Sequence, residues 1–478
     1  MNNQPAAIEH HHLPIKIMLY PAMLFMLVGM FVGVFMAFNA FIFPDYFAGE
    51  YIHFGRIRPV HVWHVLLLWL VSANIGLFYY MVPRLCGRPL WSPNLAYISA
   101  AFWWFSLIIG TYSYPTGTNS GWEYAELPLW VGWIPIKLMF VISWLIFAFN
   151  IFMTILNRNY QKMYVSLWYV MGVLIWASFT IPVGFFAINW VSQGISRVNT
   201  SFFYVHNLVG LIFTPMGLAI AYYFLPKLSN IPIYSHRMSM IGFWSIAFLY
   251  AWIGVHHIIH GPVSQWLQTV SIIFSIWLFI PVWTVVGNLF ATLEKNWHKY
   301  SESAAIRFIM LGNAFYLVTC IQGPLMALRN VNEITSKTDW IISHSHIALY
   351  GTFSFFAFAG IYQVIPVITK NSLWSKKLAD WHFALNLWGS LLFFFPLLIG
   401  GFLQGMMWAT WADGSSYAEF HNNFANLSFL HTTAEMRPWW ILRGIGGLVI
   451  LSSGIIFVVN IFNTIILKSE VALREQLA

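Results

Sequence analysis

Twelve runs of apolar residues, each bounded by short polar breaks, divide the chain at roughly 16–43, 59–83, 94–114, 129–155, 164–190, 201–225, 238–260, 265–291, 304–328, 339–368, 381–408 and 438–467. An α-helix rises 1.5 Å per residue, so about 20 apolar residues cross a ~30 Å hydrocarbon layer. The pattern predicts an all-α, polytopic membrane protein with about twelve transmembrane helices. The breaks carry Pro, Gly, Asn and charge, as at Pro44-Asp45, Arg88-Pro89, Asn157-Arg158-Asn159 and Pro226-Lys227. None is long enough for a separate domain. Residues 1–478 are therefore expected to form one domain, with short cytoplasmic tails at about 1–15 and 468–478.

Composition agrees with this pattern. Only 8% of residues are charged, against about 25% in soluble domains, so most of the surface must face lipid. The first apolar run lacks a small-residue cleavage pattern and is expected to be a retained helix. The side holding both termini carries fifteen Lys and Arg, the opposite side seven, and Lys137 lies within a span, accounting for all 23. This asymmetry predicts cytoplasmic termini. The net charge of +8 follows that topology and implies no nucleic-acid partner. Cys86 and Cys320 stand far apart and form no disulfide or C-x-x-C signature. Glu9-His10-His11-His12 reads as a solvated tail.

The histidines are less ordinary. Read with this topology, His61, His206, His256, His257, His344 and His346 all fall in the outer half of the bilayer, on four different helices. Ionisable residues in membrane spans mark function. A lone one is ordinarily a hydrogen-bonded packing residue, but six at one depth form a set. His344 and His346 are two apart, so their side chains point about 200° apart on one helix. That geometry suits a helix between two metal centres. His206, His256 and His257 form a three-imidazole set that copper, zinc or iron would accept. His344 and His346 would each ligate a haem, with His61 completing the second.

The stretches Tyr204-Val-His206-Asn-Leu-Val-Gly210, Leu249-Tyr250-Ala-Trp252-Ile-Gly254-Val-His256-His257 and Thr338-Asp339-Trp340-Ile-Ile-Ser-His344-Ser-His346 resemble the haem–copper oxidase superfamily. Within it they look like the catalytic subunit of cbb3-type cytochrome c oxidases. Arg56-Ile-Arg58-Pro59-Val-His61, Glu123-Tyr124-Ala125-Glu126-Leu127 and Arg443-Gly-Ile-Gly446-Gly447 extend the match. His61 occupies the Arg-Pro-x-His position, and His64 is a lesser candidate.

The resemblance implies a low-spin haem b on His61 and His346 and a high-spin haem b on His344. It implies copper on His206, His256 and His257, with Tyr250 covalently linked to His206 and redox-active. Arg56, Arg58 and Arg443 would serve the haem propionates. Glu123 would hold calcium, a hard ion suited to oxygen, with Glu126 in support. Tyr223, Ser239, Tyr316 and Gln322 would line one proton path. The implied activity is reduction of O2 to water with electrons from cytochrome c, coupled to proton uptake, in a bacterial inner membrane with the metal sites toward the outer side. No C-x-x-C-H occurs, so separate c-type cytochrome subunits are implied as partners.

One position departs from the family. Gln322-Gly323-Pro324 stands where cbb3-type oxidases usually have Glu-Gly-Pro, and an amide cannot release a proton as a carboxylic acid does. Lys137, Tyr222 and Asn313 are its candidate polar neighbours, none of which is assigned the missing proton step. The alternative reading is nitric oxide reductase, with non-haem iron in place of copper. That relative carries a glutamate four residues after the sixth-helix histidine, where this chain has Gly210, and it lacks the tyrosine found here at Tyr250. A haem-binding transporter or sensor would require neither three convergent histidines nor Tyr250.

Overall fold

The computed structural model describes residues 10–44, 46–118, 127–128, 130–188, 193–413 and 429–466. In chain order the crossing elements are α1 (Leu13–Ile42), α2 (Phe54–Cys86), α3 (Pro93–Thr116), α4 (Ile136–Leu156), α5 (Val165–Ala187), α6 (Gly194–Ser229), α7 (His236–Leu249), α8 (Gln265–Asn296), α9 (Ala304–Ala327), α10 (Asp339–Thr369), α11 (Lys376–Ala409) and α12 (Thr432–Ile466). All but α7 are long and apolar enough to cross a membrane, and no strand occurs among the described residues. Outward positions such as Leu24, Phe179, Trp244, Trp283 and Phe462 are exposed apolar side chains, as a lipid-facing surface requires. The protein is an integral membrane protein.

The seventh crossing is broken. Sequence periodicity reads 238–260 as one apolar run, but α7 ends at Leu249 and continues as two 3-10 segments, Tyr250–Trp252 and Gly254–Ile258. The broken segment packs directly on α6: a Cβ on Gly254 would lie 2.8 Å from the Phe202 carbonyl oxygen, an approach that only glycine admits. The segment still crosses beside α8. Ser235 before it pairs with Asn288 toward the end of α8, and the His260 amide beyond it reaches Gln268 near the start, at 3.5 Å.

Three similar clamps tie the helix ends on the side away from the histidines. Asn150 of α4 accepts the Ser92 N–H at 3.0 Å and donates to its carbonyl at 2.7 Å, while Thr154 accepts the Trp91 N–H. Asn288 and Thr292 of α8 repeat this with Ser235 and Tyr234, and Asn460 and Thr464 of α12 with Ser375 and Trp374. Each serine also caps its following helix by accepting from Leu95, Met238 or Leu378. Asn150, Asn288 and Asn460 are fully buried, so removing the amide strands two backbone groups. Asn288→Ala is expected to cost about 1–3 kcal/mol, seen as a lower denaturation midpoint in detergent. An unchanged midpoint would deny the clamp a structural role.

The start of α10 is fixed with similar care. Gly401 and Gly405 of α11 form a G-x-x-x-G face that admits close backbone approach. A Cβ on Gly401 would lie 2.0 Å from the Trp340 nitrogen, and one on Gly405 1.8 Å from the Ile334 oxygen. Thr338 caps the helix, Gln404 accepts the Asp339 N–H, and the Trp440 indole donates to the Asp339 carboxylate at 2.6 Å. Beyond the histidines, α2, α6 and α10 each widen into π-helical turns, at His64–Val71, Leu208–Phe213 and Ile347–Ser354. Such turns are frequent at functional sites.

Candidate metal centre

His206 of α6 meets His256 and His257, which the 3-10 break after α7 presents on adjacent positions. His206 Nδ1 and His256 Nε2 each lie 3.1 Å from His257 Nε2, and one ligand atom from each of the three falls within 4.8 Å of the others. One imidazole nitrogen carries either a hydrogen or a lone pair, so His257 Nε2 cannot satisfy both contacts as hydrogen bonds. A cation can take all three lone pairs, and metal–imidazole bonds of about 2.0–2.1 Å bring nitrogens roughly this close. The donor set therefore fits a bound metal.

His61 of α2 and His346 of α10 face each other across a gap of a different kind. Their ring centroids are 6.3 Å apart with planes 18° from parallel. Two metal–nitrogen bonds of about 2 Å plus the depth of both rings span roughly 6 Å, so the two imidazoles would fit one metal held between them. Each Nδ1 is engaged by a backbone carbonyl, His61 by Gly29 and His346 by Ile342, both at 2.8 Å. A carbonyl only accepts, so each Nδ1 carries the hydrogen and each Nε2 keeps its lone pair for metal. A Cβ on Gly33 would lie 2.6 Å from the His61 ring. His64 turns elsewhere, bonding the Val60 carbonyl and packing edge-on against Phe25.

His344 points to the other face of α10. Its Nδ1 lies 3.2 Å from Gln322 Oε1 and 3.4 Å from Thr319 Oγ, which leaves Nε2 for a ligand. It lies within electrostatic range of His206, His256 and His257. The two histidines of α10 thus serve two separate places.

Tyr250 lies in the first 3-10 turn, its ring centroid 4.6 Å from that of His206. His206 Nε2 has no hydrogen-bond partner among the described residues. Gly210 makes the approach possible, because a Cβ there would sit 1.6 Å from Tyr250 Cε1. A side chain at 210 and this placement of Tyr250 exclude one another.

Two of the arginines, Arg443 and Arg58, lie near the His61–His346 pair. Arg443 is buried, stacks over Phe41 at 4.2 Å, has no partner for its Nε among the described residues, and lies within electrostatic range of His346. Arg56 donates to the Pro115 carbonyl at 3.0 Å, and Arg58 lies within the same range of His61. Glu123 and Glu126 lie outside the described residues. Lys137 is buried and donates to the Phe185 carbonyl at 3.1 Å.

The polar residues assigned to a proton path are less continuous. The Tyr223 hydroxyl accepts from Lys227 at 3.2 Å and borders an open cavity of about 430 Å³, lined also by Tyr164 and Asn230. Ser239 is buried and donates to the His236 carbonyl, while Tyr316 is buried near Cys320 and Tyr250. Sequence reasoning missed Tyr169 and Ser166 of α5. Tyr169 stacks with Tyr222 at 5.7 Å, and its hydroxyl, like Ser166 Oγ and Asn313 Oδ1, has no partner among the described residues. Buried unpaired polar atoms of this kind suit ordered water. Isolated hydroxyls in apolar helices leave little pattern to read.

Residues 14–449 match the family described as Cytochrome C and Quinol oxidase polypeptide I. A cytochrome c oxidase subunit 1 homolog of Agrobacterium tumefaciens is 32% identical, over 92% of this chain and 81% of that protein. The cbb3-type cytochrome c oxidase subunit CcoN1 of Stutzerimonas stutzeri is 30% identical, over 92% of each. A solved heme-copper terminal oxidase dimer shares the fold, with a TM-score of 0.76 at 15% identity, covering 95% of this chain and 83% of that one.

Proposed function

Since the chain belongs to the cytochrome c and quinol oxidase polypeptide I family, it is a catalytic subunit of haem–copper cytochrome c oxidase, and we propose that it works as the oxygen-reducing subunit of a cbb3-type enzyme. The family implies haem and copper. His61 and His346 would hold a low-spin haem b, His344 a high-spin haem b, and His206, His256 and His257 copper. When bound, these groups supply the oxygen binding and electron transfer by which O2 becomes water.

The protein's own side chains do the remaining work. His206 Nδ1 lies on the side of His257, its Nε2 has no partner among the described residues, and the Tyr250 ring lies 4.6 Å from its own. That disposition supports a covalent bond between His206 and Tyr250, which would fix the phenol as a donor of a proton and an electron. The buried Arg443 guanidinium has an Nε without a partner among the described residues, a donor for a haem propionate that Arg56 and Arg58 would also serve. Tyr316, next to Tyr250, would pass protons that enter near Tyr223 and Ser239. A calcium held by Glu123 with support from Glu126 belongs to the same reading. So do c-type cytochrome partner subunits, cytochrome c as electron donor, and a bacterial inner membrane with both termini cytoplasmic and the metal sites outward. The family relatives support a multisubunit oxidase complex.

The observation that carries oxygen rather than nitric oxide as substrate is Tyr250 seated on Gly210 beside His206. A glutamate at 210 would displace that ring. Peptide mass spectrometry of the purified complex should find the His206 and Tyr250 peptides joined; recovery of two unmodified peptides would refute the link. A second test separates the neighbouring histidines of α2. His61→Ala is expected to remove the low-spin haem absorption, whereas His64→Phe should retain it. Loss in His64→Phe alone would reverse the assignment.

A further inference from the structure

We infer that Ser275 of α8 is a positioning residue that fixes the tautomer and aim of His256. The inference rests on reading His256 as a metal ligand and asks what makes it one. Ser271 and Ser275 are four residues apart, hence on one face of α8, and both are buried. Ser275 Oγ lies 2.7 Å from the Ser271 carbonyl oxygen. A carbonyl cannot donate, so the single hydroxyl hydrogen of Ser275 is committed there. The 2.8 Å contact between Ser275 Oγ and His256 Nδ1 must then be an N–H donated by the imidazole. His256 therefore carries its hydrogen on Nδ1 and a lone pair on Nε2, the atom 3.1 Å from His257 Nε2.

A serine in an apolar helix ordinarily bonds back to the preceding turn and does nothing more. Ser275 does so and also accepts. Among the described residues, His256 is the member of the three-histidine set whose second nitrogen is held by a hydroxyl. Ser271 completes the ladder from below: its Oγ donates to the Ile253 carbonyl at 2.6 Å, a group freed where α7 stops. Asn332 donates to the His256 carbonyl at 3.2 Å and to that of Met326 at 2.9 Å. The broken segment thus has its backbone oxygens tied by Ser271 and Asn332 and its ligand imidazole turned by Ser275.

Partners of this kind change metal affinity by about 10–100-fold when removed. The test uses the intact oxidase complex, depleted of copper by graded chelation and titrated with copper alone, with the low-spin haem absorption recorded alongside. Ser275→Val removes the hydroxyl while matching the branched shape of Ser275→Thr, and is expected to weaken copper binding about 10–100-fold. Ser275→Thr keeps the hydroxyl and should bind within a few-fold of the parent. Both should retain the low-spin haem spectrum, which depends on His61 and His346. Should Ser275→Val fail to assemble, Ser275→Ala carries the same expectation without added bulk. Parent-like copper binding in the hydroxyl-free variant, or equal loss in the Val and Thr variants, overturns the role of the hydroxyl. A parent complex that binds no copper overturns instead the assignment of the three histidines.

Discussion

Replacing Gly210 with alanine is expected to lower oxygen turnover by about 100-fold or more while leaving the spectrum of the haem proposed on His61 and His346 unchanged. The added Cβ would stand 1.6 Å from Tyr250 Cε1 and 1.9 Å from Cζ. Ordinary carbon contacts are about 3.5–4.0 Å, so the ring must retreat by roughly 2 Å. A 1 Å misplacement in a reacting group can cost about 100-fold. Displacement also separates Tyr250 from His206, so the joined peptide should disappear with the activity. His61 and His346 sit at a separate site and need not respond. Oxygen consumption with reduced cytochrome c measures the first effect, and optical spectra check the second. Parent-like turnover in the Gly210→Ala variant would mean that Tyr250 is not needed where the structure places it.

Gln322→Glu should shift the midpoint potential of the haem proposed on His344 downward, on the order of 60 mV for each tenfold change in preference for the oxidised state. In the parent, a neutral amide oxygen faces His344 Nδ1 at 3.2 Å. A carboxylate would make the bond charge-assisted and roughly twice as strong, drawing the imidazole toward its anionic form. A more electron-rich ligand favours ferric iron and stiffens the iron–nitrogen bond. Gln322→Leu removes the acceptor and should move both quantities the other way. Thr319, 3.4 Å from Nδ1 and bonded to the His344 carbonyl, limits that second shift. Redox titration gives the potential and resonance Raman the iron–nitrogen stretch. Identical values in the Glu variant and the parent would show that Gln322 does not tune His344.

Much of the architecture was legible because lipid imposes a simple rule: every crossing must be apolar and about 20 residues long. That rule finds the crossings but not the break in the seventh. The broken segment packs Gly254 against the Phe202 carbonyl, a contact that no periodicity records. The spacing of His344 and His346 told that they face opposite ways, since helical rotation alone decides it. The motif separated His61 from His64, and the Gly29 carbonyl supplies the physical reason that one ring faces His346.

Other features left a signal that went unread. The three clamps repeat an aromatic residue followed by Ser and, on a later helix, Asn-x-x-x-Thr: 91–92 with 150–154, 234–235 with 288–292, and 374–375 with 460–464. A search for internal repeats finds them. Ser271 and Ser275 share a helical face, but two serines four apart are too common to read without His256 beside them. Gln322 reads from the sequence as part of a proton route, and the structure adds that its amide oxygen lies 3.2 Å from His344 Nδ1. Sequence spacing cannot report which partner a side chain chooses across a helix interface.

The most direct test of the three-histidine centre is the metal content of the purified complex, counted as copper against haem b. About one copper for every two haem b groups is expected from three nitrogen ligands without a carboxylate. Non-haem iron in place of copper at that ratio would contradict it and return the chain to nitric oxide chemistry.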